Sequence, residues 1–489
     1  MMQQELFESS WPLVYHDMNN NSCWNNNNQV EEYCMEFDDH QSLQVLPMME
    51  DFPMELLEQV FEPQLSGEFE AIYGSLMEDE SVGSLQYSSP SSSTSSSSSS
   101  PSIVDVTSVQ PVLFLPEQDM KIENELGLFH LLKACGEAIE KEQSELKDVI
   151  LRRIGDRVSP VGKALERVGF ILSQQIDTKF IDYLIQESLK NSNPAFKAFC
   201  QFFPYVKFAQ FTANSAILEA TPDDVDTLHI VDFDMREGLQ WSQAIEAASS
   251  RWKSLKLTSI RLAKEEEEVD FEQTKRQLLD HASSYGLELK IQQIGIEDLV
   301  SEVKKGKKRG CGKEFLAFNI AVGMSHMRIT RSRKLVMEFL NLAKDLLSSN
   351  KGIIVLSDGE PSENLKNSTN FTQFFDGHVL HYQALLDSIE STFPAHLSEA
   401  RMTMETLFVA PFVSSSVWSQ KWEEIREGFH LKAEFGLKEW RLSNESLMEA
   451  KEMVSDNNCY EIRSEGVNGN EASLNWKGVP LVKISAWTN

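Results

Sequence analysis

Cysteine is scarce in this chain of 489 residues, with six thiols (Cys23, Cys34, Cys135, Cys200, Cys311, Cys459), no C-x-x-C pair and no histidine at zinc-ligand spacing. That scatter provides neither a disulfide framework nor a zinc module, and it suits reduced thiols inside a cell. Long apolar runs are also missing. Nothing approaches the roughly 18 uninterrupted apolar residues of a membrane span, and the opening MMQQELFESSWPLVYHD has no basic start or continuous apolar segment. Secretion and membrane insertion are therefore not expected, and the sequons at Asn367, Asn370 and Asn444 carry no glycosylation meaning. Positive charge is short as well: 45 Lys and Arg face 75 Asp and Glu, for a net charge of -30. The deficit is uneven, because the stretch 1–127 is densely acidic and has Lys121 as its single base. A chain this acidic lacks the broad basic footprint that grips phosphate backbones, so charge does not support direct DNA binding, though a local basic face stays open.

Glycine is short at one telling place. LHIVDFDMREGLQW (Leu228 to Trp241) reads as an apolar strand that ends in carboxylates and turns into a helix. Cofactor-binding turns of this kind need glycines so that the backbone can approach an adenosine or phosphate closely. Asp232 matches the first acidic position, but Asp234 and Arg236 stand where two glycines belong, and only Gly238 remains. The expectation is a nucleotide-binding architecture whose site is filled by side chains, with no cofactor and no catalytic residues. Asp232 and Asp234 lie two apart and would share one strand face near its carboxyl end, where open α/β sheets bind ligands. Such a pair serves a cofactor ribose or general-base chemistry, or else caps the next helix or binds a neighbouring amide; with the glycines gone, the second reading is preferred. His229, in mid-strand, reads as a core histidine. His378 and His381 are three apart without a third ligand, so no metal site is expected. Ser357 lacks the G-x-S-x-G elbow of a nucleophile.

Residues 1–117 form an acidic, Ser-rich region with an Asn run and a serine tract from Ser88 to Ser100, too polar to bury a core and expected to be disordered. Within it, Glu50 to Glu62 and Glu68 to Glu80 set apolar residues at helical spacing among acids. That pattern fits either an activation segment offered to a coactivator groove or a solvated tail with chance periodicity. The folded part spans 118–489. Leu128, Leu131, Leu132, Cys135, Ala138 and Ile139 fall on one helical stripe, which is either core or a partner-binding face; Leu128, Leu131 and Leu132 are assigned to partner contact. Next, apolar runs at 228–234, 255–263, 287–294, 314–322 and 352–360 alternate with helix-length stretches, the pattern of crossover units and a mostly parallel sheet. Short closing runs around Tyr460, Leu474 and Leu481 read as antiparallel strands. The fold class expected is α/β, a Rossmann-like (methyltransferase-like) doubly wound sheet with an α-helical cap. Trp440, Trp476 and Trp487 are expected to build core beside the sheet edge. The basic run at Lys304, Lys305, Lys307, Lys308 and Arg309 reads as a flexible loop, either a nuclear signal, a phosphate-contacting patch or an ordinary solvated segment.

Taken in order, these pieces resemble a plant GRAS-family protein over residues 118–489. LFHLLKACGEAI is similar to the start of leucine-rich region I (128–190). LHIVDFDMREGLQW resembles the VHIID motif (region 200–265), with His229, Asp232, Gly238, Gln240 and Trp241 in place. SYGLELKIQQI resembles leucine-rich region II (271–302), followed by a PFYRE-type region (314–411). A SAW-type region (412–489) carries Leu474 and Trp476 as its L-x-W and Ser485, Ala486 and Trp487 as its triplet. Ser242 stands where the family usually has proline, and the stretch after Phe408 lacks the usual arginine-rich pattern. That second departure, together with DFDMREGLQW and NWKGVPLVKIS, is similar to the nodulation- and mycorrhiza-associated subgroups, and the tail has no DELLA motif. The resemblance implies a nuclear transcription regulator that forms complexes with other GRAS proteins and DNA-binding factors, reaching DNA mainly through them. The rival from another class is a small-molecule methyltransferase using Asp232 and Gly238 at an S-adenosylmethionine site; the glycine count favours the regulator.

Overall fold

The structure, a computed structural model, describes residues 117–174, 199–200, 203–233, 235, 238–261, 271–308, 313–324, 332–393, 398–428, 436–454 and 459–489. The segments 50–62 and 68–80, together with Asp234 and Arg236, lie outside the described residues. Three helices come first: α1 (Glu117–Glu140), α2 (Ser144–Gly155) and α3 (Ala164–Ser173). A fourth, α4 (Pro204–Ala220), starts on a proline whose fixed φ suits the first helical turn. Strands and helices then alternate as β1 (Thr227–Asp232), α5 (Leu239–Ser249), β2 (Ser254–Arg261), α6 (Phe271–Ser284), β3 (Glu288–Gly295), α7 (Leu299–Lys308), β4 (Glu314–Val322), α8 (Arg333–Leu347) and β5 (Gly352–Asp358). The chain continues through α9 (Phe371–Thr392), α10 (Ser398–Met404), a π turn at Glu405–Val409, α11 (Ser415–Arg426), β6 (Lys438–Glu439), α12 (Asn444–Glu452), β7 (Tyr460–Glu465), β8 (Glu471–Trp476) and β9 (Val479–Thr488).

The nine strands among the described residues share one sheet in the order β3-β2-β1-β4-β5-β9-β8-β7, with β6 pairing on β9. β3, β2, β1, β4 and β5 are parallel, whereas β9, β8 and β7 add antiparallel strands beyond β5. The doubly wound, methyltransferase-like reading of the sequence holds. Strand order reverses between β1 and β4, which makes their carboxyl ends the switch point where such sheets hold ligands.

Two cores explain why the parallel strands read as continuous apolar runs. Along β4, Phe315 and Ala317 enter the core shared with α4, α5, α6, α9 and the first three helices, while Leu316, Phe318 and Ile320 enter the opposite core under α7 and α8. Both sides of the pleat are covered, so neither calls for polar alternation.

The helical cap seats on α9. Gly136 of α1 lies so near Phe375 that a β-carbon would sit 3.0 Å from its ring. Arg167 of α3 is buried and acts as a clamp: its guanidinium donates to Gly162 O (2.7 Å), Glu390 Oε2 (2.7 Å) and Leu386 O (3.1 Å), and Nε lies 3.1 Å from Glu405 Oε2. Within α1 the leucine stripe turns inward. Leu128 and Leu132 are buried in the core and Leu131 is partly buried against it, which corrects their assignment to a partner-contact face. The spacing marks an apolar face, and this chain's own core covers it.

Candidate functional site

At the switch point the residues of the VHIID-like motif bond one another. Asp232 ends β1, is buried, and accepts from Trp241 Nε1 at 2.6 Å and from Asn319 Nδ2 at 3.3 Å. Asn319 stands beside Asp232 in the β1–β4 register. Its amide exchanges hydrogen bonds with that of Gln240 at 3.3 and 3.4 Å. Gln240 in turn donates to Asn214 Oδ1 at 3.1 Å, and Asn214 Nδ2 donates to Gln240 O at 2.9 Å. Four elements, β1, β4, α4 and α5, thus converge on the place where a nucleotide would sit and fill it with mutually bonded side chains. An indole and a side-chain amide bond the Asp232 oxygens, partners that the sequence reading did not include.

Gly238 is the N-cap of α5 at φ 69°, and a β-carbon there would lie 2.8 Å from Leu278 Cδ1 and 3.0 Å from Thr274 Cγ2. Its lack of a side chain admits α6, not a ligand. Gly238→Ala is expected to cost about 2 to 3 kcal/mol by urea unfolding, from left-handed strain and overpacking together. Adding Leu278→Ala should recover part of that loss; strictly additive losses would sink the close-approach explanation.

His229 lies on the other face of β1, fully buried. Gln292 Nε2 donates to Thr258 Oγ1 (3.0 Å), Thr258 Oγ1 lies 2.9 Å from His229 Nε2, and His229 Nδ1 lies 2.9 Å from Glu314 Oε1. Burial holds the imidazole below its ordinary pKa despite Glu314. The core-histidine reading fits this network.

A second polar cluster, at the end of β5, escaped the sequence. Glu360 is buried, accepts from Tyr382 Oη at 3.0 Å and from Lys421 Nζ, and lies 3.5 Å from His378 Nε2 and 3.8 Å from Arg333 Nη2. Tyr382 stacks on Trp418 at 5.9 Å and 9°. Burial raises the cost of ionising Glu360, but Lys421, His378 and Arg333 outweigh it and hold its pKa well below 4.5. His378 donates Nδ1–H to Phe374 O at 3.0 Å, and burial pushes His381 down to about 4. Among the described residues no group of three or more His, Cys, Asp or Glu could hold a metal ion, and no helix is long and apolar enough to cross a membrane.

The remaining sequence-derived positions are structural or sit elsewhere. Leu474, Trp476, Ser485, Ala486 and Trp487 are all buried on β8 and β9, and Trp476 Nε1 donates to Asp387 Oδ2 at 2.7 Å. Lys304, Lys305, Lys307 and Lys308 belong to the last turns of α7 and not to a loop, because Leu299 and Val303 anchor that helix in the core; Arg309 lies outside the described residues. Asn214, Asn319 and Glu360 were missed. The signal available was a lone amide or carboxylate within or just after an apolar run.

Residues 128–488 match the GRAS domain family. The chain is 27% identical over 396 residues to Protein NODULATION SIGNALING PATHWAY 2 of Medicago truncatula, covering 74% of this chain and 76% of that protein. The protein of the same name from Lotus japonicus is 27% identical over 395 residues, again covering 74% of this chain and 76% of its own length. Among solved structures, the crystal structure of SCL7 in Oryza sativa matches with a TM-score of 0.55 and 22% identity, covering 74% of this chain and 99% of that one, a likeness of fold.

Proposed function

The chain belongs to the GRAS domain family, and from that premise we propose that it is a nuclear transcriptional co-regulator that works through complexes with other GRAS proteins and DNA-binding factors and carries out no chemistry. The observation that carries the reading is the occupied switch point. Asp232, Gln240, Trp241 and Asn319 spend their polar atoms on one another where a cofactor would need them. The S-adenosylmethionine alternative requires that network to break and α5 to move away from β1. The pathway proposed is root symbiosis signalling, supported by likeness to the two NODULATION SIGNALING PATHWAY 2 proteins over about three-quarters of the chain. Nuclear entry is assigned to the lysines of α7, of which Lys304 and Lys305 are exposed.

Proximity labelling with the full-length chain in root cells tests the proposal. Other GRAS proteins and DNA-binding factors are expected among the labelled nuclear proteins. A cytosolic label set without them, together with saturable binding of S-adenosylmethionine to the purified chain, would overturn it.

A further inference from the structure

The lysines of α7 sit on the less supported half of their helix. Its first half is anchored: Leu299 and Val303 are buried in the core under α7 and α8, and Ser301 Oγ donates to Asp298 O at 2.8 Å. From Lys304 to Lys308 the sequence KKGKK supplies four cations and a glycine, and Lys304 and Lys305 are exposed. Lysines three or four apart, 304 with 307 and 308 and 305 with 308, repel along a helix, and Gly306 is the poorest helix former short of proline. The helix dipole favours cations at this end, but it acts only while the turns are wound. One acid of α7 opposes the repulsion. Glu302 accepts from Lys256 Nζ of β2 at 3.0 Å and lies 3.8 Å from Lys305 Nζ, so it ties the lysine turns to the sheet.

We propose that these turns are a nuclear import signal held in a latent form: an import receptor with an acidic groove binds them only when 304–308 unwind, and Glu302 is the latch. This rests on the α7 lysines being the signal for nuclear entry, as proposed above. A groove whose carboxylates read successive lysines one at a time takes the backbone extended. From 304 to 308 the helix rises about 6 Å, whereas an extended chain covers about 13 Å. A groove spaced for the second cannot engage the first. Opening stays local, since the anchors Leu299 and Val303 precede the lysines and keep their place in the core. The receptor's apparent affinity then scales with the fraction of chains whose turns are open. Whatever breaks the Glu302–Lys256 pair raises that fraction, whatever strengthens the helix lowers it, and nuclear entry follows.

Titration of the full-length chain with a purified armadillo-repeat import receptor, freed of its own inhibitory arm, tests this beside a synthetic peptide covering 302–310. The peptide is too short to hold a helix in water and should bind at least about tenfold more tightly than the chain. Gly306→Ala should weaken binding of the chain about fivefold, the preference for alanine over glycine in a helix, and leave that of the peptide unchanged. Glu302→Gln should strengthen binding of the chain and speed exchange of amides 304–308, with unaltered exchange in β1 and β4 as evidence of an intact fold. Should that variant unfold, Gly306→Ala, which adds helix propensity, decides alone. Equal affinity of chain and peptide, or a Gly306→Ala chain that binds as tightly as the original, overturns the latch while the signal stands. An equal loss in chain and peptide assigns the effect to contact with the receptor and also overturns the latch. Binding that survives K304A/K305A in both, or a peptide that does not bind, overturns the signal itself.

Discussion

Glu360→Gln should destabilise the domain by about 3 to 5 kcal/mol in chemical denaturation, although the substitution hardly changes the size of the side chain. The carboxylate is the shared acceptor for Lys421, Tyr382 and the more distant Arg333, brought together from α11, α9 and α8. An amide cannot balance those cations, and one of its positions presents a donor where donors already point. Adding Lys421→Met should restore part of the loss, since it removes the cation left stranded; a double variant as unstable as the sum of its parts would refute the coupling. The pH dependence follows from the direction of the shift. Because the folded-state pKa lies well below the ordinary 4.5, the stability from Glu360 is present above that value and is lost as pH falls through the folded pKa. The gap between the original protein and Glu360→Gln should therefore be constant from neutral pH down to about 5 and close below it.

Trp487→Ala is the second large effect, expected at about 3 to 5 kcal/mol from the cavity left by the indole. Trp487 lies on β9 opposite Ile354 of β5 and Glu439 of β6, and it completes the core beneath α8. Its neighbours in the triplet are held in the same strand: Ser485 pairs with Leu356 of β5 and Glu471 of β8, and Ala486 pairs with Val355 of β5, donates to Asn470 O and accepts from Trp440 N. Thermal melting provides the readout. A melting midpoint that stays put while partner binding disappears would move Trp487 from the core to a recognition role.

Much of this architecture was legible in the residues. Strand-length apolar runs separated by helix-length stretches announced the parallel sheet because both faces of β1, β4 and β5 are covered and neither alternates with polar residues. The missing glycines after Asp232 set an expectation of a switch point filled by Asp234 and Arg236, which lie outside the described residues. What fills it was not legible: Asn214 comes from the helix before β1 and Asn319 from a strand three crossovers after it, and neither shares a periodicity with Asp232. The Glu360 cluster hid for the same reason, since each of its members is unremarkable within its own segment. The leucine stripe of α1 shows a different limit. Spacing declares that Leu128 and Leu132 are covered, but α9, on which Gly136 of the same helix seats, does not begin until Phe371, with the whole parallel sheet in between. The lysines of α7 were read from charge alone, which overlooked the apolar Leu299 and Val303 that make the segment a helix.

The position of β9 has a consequence for how the polypeptide is made. β5 is apolar along most of its length, and the strand that closes its outer edge pairs Ile353 with Thr488, the penultimate position of the chain. At about 5 to 20 residues per second, a ribosome needs roughly 7 to 27 s to supply that strand after β5 has emerged. For that interval the nascent sheet presents Gly-Ile-Ile-Val-Leu with an open row of amides and carbonyls, the arrangement most prone to pair with a neighbouring nascent chain. Yield of soluble protein in cells should accordingly respond to translation speed and chaperone supply across residues 359–488 more than to changes before β1.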